Sequence, residues 1–390
     1  MALTINPIVE KIELSGIRKI SNLMSNYPDA INLTVGQPDF PTPELVKEAG
    51  LKAIREDKTG YTLNSGLPAL RKAASEFFEK KYGFTYDPQT ETVITAGASG
   101  GMNIVFRTIL EEGDEIIVPA PIFAGYDPLI TLTGAKIVYL DTTKTGFIPD
   151  PKELEALITP KTKAIVFSYP SNPTGVTLPH DTMDELVEVL ARHDVFVVSD
   201  EIYSENTFEG KHKSFAEYPE IRNKLFLIHG LSKSHSMTGW RLGFLFGAAE
   251  WMQHTVKLHA HGTICANASA QYAGITALTE CADTPAEMNK EYIVRRDYVY
   301  DRLVAMGFDT VKPNGAFYIF PSMKHLNMTA DEFAHRLLPE AGVAVVPGTA
   351  FTHLGEGYVR ISYAYAYDQL VIAMDRMEKW VNDWKANEAK

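Results

Sequence analysis

LSKSHSMTGWRLG, residues 231–243, follows the apolar run LFLI (225–228) and leads into a second run, LGFLFG (242–247). Two apolar runs of strand length around a small-residue turn read as buried strands joined by a loop. Lys233 then sits at a strand's carboxyl end, where open α/β sheets hold their ligands. Arg241 lies eight residues further on. A lysine can form a Schiff base with an aldehyde. An arginine can grip a phosphate through two parallel hydrogen bonds. Pyridoxal 5′-phosphate (PLP) carries both groups, and the pair suggests that cofactor.

The surrounding chain repeats the pattern. Further strand candidates are ETVITAG (91–97), DEIIVPA (114–120), AKIVYLD (135–141), KAIVFSY (163–169), VFVVSDE (195–201) and KLFLIHG (224–230). Several are almost wholly apolar, as strands covered on both faces are. Amphipathic stretches such as GGMNIVFRTILEEGD (100–114) and HDTMDELVEVLARHD (180–194) lie between them. This order predicts βαβ units and an α/β fold around a mainly parallel sheet. After about residue 280 the pattern changes. A long helix over 284–307, the short strand-like pieces FYIF and VAVVPG, a helix between them and a helical tail predict a smaller α+β domain.

A chain of 390 residues has room for two or three domains and a large core. Its 45% hydrophobic and 22% charged residues are those of an ordinary globular protein. A net charge of -12 argues against nucleic acid or an anionic membrane surface as partner. Cys265 and Cys281, the two cysteines, have no metal-ligand spacing and imply no disulfide framework, which suits a reducing compartment. No metal site is expected. The N-terminal MALTINPIVEKIELSG lacks the pattern of a signal peptide. No apolar run approaches the roughly 18 residues of a membrane span. The cytoplasm is the expected location.

Four more segments, in or at the end of strand-like runs, carry chemistry. TAGASGGMN (95–103) opens a helix with small residues, whose backbone N–H groups can cradle an anion. It lacks the Walker A ending and the dinucleotide-fold spacing. SYPSNPTG (168–175) places Asn172 at a Pro-Gly turn, where asparagine is also an ordinary turn residue. VFVVSDEIYSE (195–205) ends a buried strand on Asp200, costly unless the carboxylate meets a cation. A protonated pyridine nitrogen is one such cation, and an arginine or a loop cap is the plainer one. Tyr203 follows three residues later. GYVRISYAY (357–365) puts Arg360 in a strand-like alternation, where a surface ion pair is the bland alternative.

Together these segments resemble the class I/II aminotransferases, the fold-type I PLP enzymes. The resemblance spans nearly the whole chain. It runs in order through VGQPDF (35–40), YTLNSGLPALR (61–71), TAGAS (95–99), PIFAGY (121–126), SNPTG (171–175), SDEIY (199–203), SKSHSMTGWRLG (232–243), PNGAFYIFP (313–321) and YVRISYA (358–364). It implies a large PLP-binding domain over 43–283 with a seven-stranded sheet between helices. It also implies a small domain over 284–390 and an arm over 1–42 that joins part of the small domain.

The same resemblance implies a role for each matched residue. Lys233 holds the cofactor covalently and shuttles a proton. Asp200 pairs with the ring nitrogen, Tyr203 and Asn172 hydrogen-bond the ring oxygen, and Phe123 stacks on the ring. Arg241, Ser99 and the backbone N–H of Ala98 bind the phosphate. Tyr61 reaches the phosphate of a neighbouring subunit in a homodimer. Arg360 clamps the substrate carboxylate, and Gly36 allows close approach of the N-terminal segment. Many relatives carry a phosphate-binding serine three residues before the lysine. Here that position is Gly230, and Ser232 or a backbone N–H takes its place.

GLSKSHSMTGWRLGFLF (230–246) is similar to the N-acetyl-L,L-diaminopimelate aminotransferases of lysine biosynthesis and to aromatic aminotransferases, in that order. Amino acids and 2-oxo acids, with 2-oxoglutarate and glutamate as the usual pair, are the implied substrates. A carbon–sulfur β-lyase would use the same lysine but release pyruvate and ammonia. A lyase of the ACC-synthase kind would need S-adenosylmethionine, and a DNA-binding regulator on this fold would need a basic extension. Arg18 and Lys19 in the N-terminal segment are candidate contacts for a distal acidic group, with solvated surface charges as the plainer alternative.

Overall fold

The structure is a computed structural model and describes residues 3–388. Its centre is a seven-stranded sheet. In chain order the strands are β1 (Thr92–Ala96), β2 (Glu115–Ala120), β3 (Lys136–Asp141), β4 (Thr162–Ser168), β5 (Phe196–Asp200), β6 (Leu225–Gly230) and β7 (Leu242–Gly247). Across the sheet they run β1-β7-β6-β5-β4-β2-β3. Only β7 is antiparallel to its neighbours. Leu225–Gly230 and Leu242–Gly247 are buried along their whole length, as their unbroken apolar pattern predicts for strands covered on both faces.

Register brings the chemistry to one edge. Asp200 lies opposite Ser168 on one side and Ile228 on the other. Gly230 faces Gly243, and Ala96 faces Leu242. The loops that follow Ala96, Ala120, Ser168, Asp200 and Gly230 therefore leave the same end of the sheet, where such folds bind ligands.

A second apolar cluster gathers Ile20, Ile31 and Leu33 with Leu303, Phe317, Leu337 and Leu370. Ile31–Asn32 pairs in parallel with Val343–Ala344, tying the N-terminal segment to the C-terminal third. A small antiparallel sheet joins Val346–Pro347, Val359–Ser362 and Tyr318–Ile319. Arg360 was expected in an alternating strand, but all four residues of Val359–Ser362 are buried. That sheet is covered on both faces, and Arg360 points into a cleft instead of solvent. Among the described residues no helix is long and apolar enough to cross a membrane.

Candidate active site

Lys233 follows β6 on a single helical turn, Leu231–Ser234. Its Nζ donates to the carbonyl of Gly36 at 2.5 Å. Burial and the nearby Arg360 and Arg241 guanidiniums all disfavour the ammonium and bring its pKa down to about 8. Asp200 pulls the other way and is outweighed.

Asp200 ends β5 and is buried. Its Oδ2 accepts from the Tyr126 hydroxyl at 2.5 Å and its Oδ1 from the Ile202 N–H at 3.1 Å. Burial raises its proton affinity, and these two hydrogen bonds oppose the rise. Tyr126 was not singled out from the sequence, although it closes the PIFAGY segment. Its partner lies 74 residues away, and no local pattern reports such a pairing.

The helix Gly97–Ile109 begins at this edge, with Ala98 and Ser99 in its first turn. Gly97 has a φ of +75°, and a Cβ there would meet Arg241 Nη2 at 2.5 Å. Its missing side chain is the space in which the Arg241 guanidinium lies. Gly243 plays the matching part, since a Cβ on it would strike the Gly97 backbone at 2.4 Å. Arg241 itself adopts a left-handed φ of 53°, a strained conformation for a side chain of its size. It donates to the Thr238 carbonyl at 3.1 Å. Ser232 is buried beside it in the same cleft. At Gly230 a Cβ would already touch Ile202 Cδ1 and the Leu242 carbonyl at 3.0 Å, so the position is tight for a serine.

Arg360 is 1% exposed. Its guanidinium donates to Asn172 Oδ1 at 2.9 Å and to the Thr34 carbonyl at 2.6 Å. It also lies over the Tyr318 and Phe351 rings, 4.4 and 5.0 Å from their centroids. Its Nε has no partner, and no carboxylate pairs with it among the described residues. A buried guanidinium without a counter-charge is costly, and an incoming carboxylate removes that cost. The Tyr203 hydroxyl bonds the Tyr318 hydroxyl at 2.8 Å, and a Cβ on Gly36 would fall 2.3 Å from that same Tyr318 oxygen. Gly36 thus allows close approach, here of the N-terminal segment to Tyr318.

One cleft of about 580 Å³ unites these groups. It is lined by Gly36, Ala98, Ser99, Phe123, Asn172, Asp200, Tyr203, Ser232, Lys233, Arg241 and Arg360, every expected site residue except Tyr61. Phe123 stands edge-on to Tyr126, 5.6 Å between centroids. Tyr61 is 83% exposed and takes no part in its own chain's cleft. Arg18 and Lys19 do not line it either, and Lys19 pairs with Glu13 at 2.8 Å on the surface. Tyr126 and Tyr318 line it without having been singled out. The donor set suits PLP: an amine of lowered basicity, a buried carboxylate, and an arginine at a helix N-terminus with its cradle kept open by Gly97.

Comparison with known proteins agrees. The family model for "Aminotransferase class I and II" matches residues 28–376. The "Probable N-acetyl-LL-diaminopimelate aminotransferase" of Bacillus subtilis (strain 168) is 50% identical over 377 residues, covering 97% of this chain and 95% of that one. "Aromatic-amino-acid aminotransferase 2" of Thermococcus litoralis is 40% identical over 382 residues, covering 97% and 98%. The solved structure of the Thermus thermophilus aspartate aminotransferase with maleate superposes with a TM-score of 0.92 at 35% identity, covering 97% and 100%. Enzymes of this family use PLP and move amino groups between amino acids and 2-oxo acids, and that is the chemistry of this one. Ordered motifs, cleft and relatives together place the chain in the class I and II aminotransferases.

Proposed function

We propose that this enzyme is an N-acetyl-L,L-diaminopimelate aminotransferase of lysine biosynthesis, with 2-oxoglutarate and glutamate as its second pair. The high identity to the Bacillus subtilis relative over nearly all of both chains carries this reading. The cleft is compatible with it. Beyond the cofactor-facing groups its wall offers Ile17, Val35, Met102 and Leu129. Its cations are Lys233, Arg241 and Arg360. Such a wall accommodates the methylene chain between the two ends of that substrate. It suits an aromatic ring as well, and with the similarity to the Thermococcus litoralis enzyme this supports aromatic amino acids as the second reading.

When bound, PLP supplies a conjugated cationic ring that takes up the electron pair left at the substrate Cα. We assign Lys233 Nζ to the covalent anchor and to carrying the Cα proton, for which an amine of lowered basicity is suited near neutral pH. Asp200 is the counter-ion of the ring nitrogen. Tyr203 and Asn172 serve the ring oxygen, and Phe123 its face. Arg241, Ser99, Ser232 and the Ala98 N–H hold the phosphate. Arg360 orients the substrate through its carboxylate, where a planar fork outperforms a lysine.

We further propose a cytoplasmic homodimer in which Tyr61 reaches the neighbouring cleft. Exposed Leu63 and Ile264 accompany Tyr61 on the free surface. Residues 43–283 would form the cofactor-binding domain, with 284–390 and part of 1–42 as the smaller one.

The visible spectrum of the holoenzyme tests the substrate. N-acetyl-L,L-diaminopimelate should convert the cofactor to its amine form at far lower concentration than L-phenylalanine does. Conversion by phenylalanine and glutamate alone would make the enzyme an aromatic aminotransferase. Release of pyruvate and ammonia from a sulfur amino acid would mark a β-lyase.

A further inference from the structure

The segment from Leu33 to Thr42 crosses the mouth of the cleft as a strap. Val35 and Gln37 line the cleft, and the strap's hydrogen bonds to Arg360 and Lys233 come from its backbone. The Thr34 carbonyl accepts from Arg360 at 2.6 Å, and the Gly36 carbonyl accepts from Lys233 at 2.5 Å. Carbonyls hold such partners only as well as the chain that carries them is held. On its N-terminal side the strap is fixed by ladder bonds, Leu33 N–H to the Ala344 carbonyl and Ser362 N–H to the Leu33 carbonyl. On its C-terminal side there is no ladder. There Asp39 Oδ1 accepts from Arg295 Nη1 at 2.8 Å, and Thr42 Oγ1 donates to the Ser236 carbonyl at 2.7 Å.

Arg295 stands on the helix Thr284–Ala305, outside the cleft. Its side chain is 8% exposed and that of Asp39 26%. The guanidinium lies over Phe40 and Tyr292, 5.2 and 5.8 Å from their centroids, and these two rings meet edge to face at 5.4 Å. A half-buried pair braced by aromatic faces keeps its geometry better than a fully solvated one.

We propose that Asp39 and Arg295 form a positioning pair that holds the strap so that the Thr34 carbonyl keeps Arg360 aimed at the substrate carboxylate. The pair touches no substrate. It works through Arg360, and the inference rests on the assignment of Arg360 as the carboxylate grip.

The probe is maleate, an unreactive dicarboxylate, titrated against holoenzyme by the cofactor's absorbance. Asp39→Asn should raise its Kd about tenfold, the scale of one lost charged hydrogen bond. Asp39→Glu should recover most of that loss. In an Arg360→Lys background Asp39→Asn should add little, because the two changes act through one contact. Arg295→Met should repeat the Asp39→Asn result. Thermal unfolding of each variant gives the stability effect separately.

An unchanged maleate Kd in Asp39→Asn, while Arg360→Lys weakens binding, overturns the positioning pair and leaves the Arg360 assignment standing. Strict additivity of the two changes also overturns it. If Arg360→Lys itself leaves maleate binding untouched, the carboxylate grip lies elsewhere and that assignment is the one that fails.

Discussion

Tyr126 donates its hydroxyl hydrogen to Asp200 Oδ2 at 2.5 Å, at the edge of the sheet. The bond stabilises the ionised carboxylate in a site where burial works against it. Tyr126→Phe keeps the ring and removes the donor. Asp200 should then bind its proton more tightly and serve less well as a counter-ion to the ring nitrogen. A hydrogen bond to a charged group contributes about 1.5–3 kcal/mol, so proton abstraction from the substrate should slow by about tenfold or more. Single-turnover rates at neutral pH measure this. An unchanged rate would mean that Asp200 does not depend on Tyr126.

Gly36 and Tyr318 set a second test. A Cβ on Gly36 would lie 2.3 Å from the Tyr318 hydroxyl, which also bonds Tyr203. Gly36→Ala should push the strap off Tyr318 and weaken substrate binding by about tenfold, since overpacking of this kind costs about 1–3 kcal/mol. Adding Tyr318→Phe removes the atom in the way and should restore part of the loss. KM values of the two variants decide it. No recovery in the double variant would place the damage in the backbone of the strap.

Much of this site is visible in the sequence for a definite reason. Lys233, Asp200 and Asn172 each follow or end an apolar run, and a strand end is where a short-range pattern and a ligand site coincide. The inner strands are legible on the same basis, because strands covered on both faces read as near-continuous apolar runs, whereas Lys136–Asp141 at the sheet edge is only partly buried. Arg360 is legible as a site residue only as a member of a motif, since its apolar–polar alternation reads as a surface strand while the strand itself is buried on both faces. The rest depends on contacts between distant segments. The Thr34 carbonyl meets Arg360 across 326 positions, and Arg295 meets Asp39 across 256. A backbone carbonyl acting on a side chain leaves no trace in residue type at all. Tyr61 is a motif residue whose proposed partner is in a second copy of the chain.

Lys233 should make the cofactor-free protein more stable at high pH. Its folded pKa of about 8 is below the ordinary lysine value of 10.5, so the fold disfavours the ammonium. Below about pH 8 the full cost is present. Between about 8 and 10.5 the unfolded chain binds the proton and the folded one does not, so stability rises with pH. The rise amounts to up to about 3 kcal/mol. Lys233→Met should abolish turnover, remove this rise and stabilise the cofactor-free protein near neutral pH. Denaturant unfolding at pH 7 and pH 10 measures it. The same rise in both proteins would assign it to other groups.

His235, two positions beyond Lys233, should act in the opposite pH range. It is fully buried, with Ser234 Oγ at 2.8 Å from one ring nitrogen and the Cys281 carbonyl at 3.1 Å from the other. Burial lowers its pKa from 6.5 to about 4, so the fold holds it neutral. As pH falls through 6.5 the unfolded chain takes up the proton first, and stability is lost until the folded pKa is reached near 4. The loss across that window is up to about 3 kcal/mol. His235→Gln keeps a donor for the Cys281 carbonyl and cannot titrate. Its unfolding free energy should fall less than that of the parent between pH 7 and pH 4.5. Because the same turn carries Lys233, loss of cofactor absorbance on acidification should be delayed in the variant as well. Equal acid sensitivity of the two proteins would exclude His235 as the group responsible.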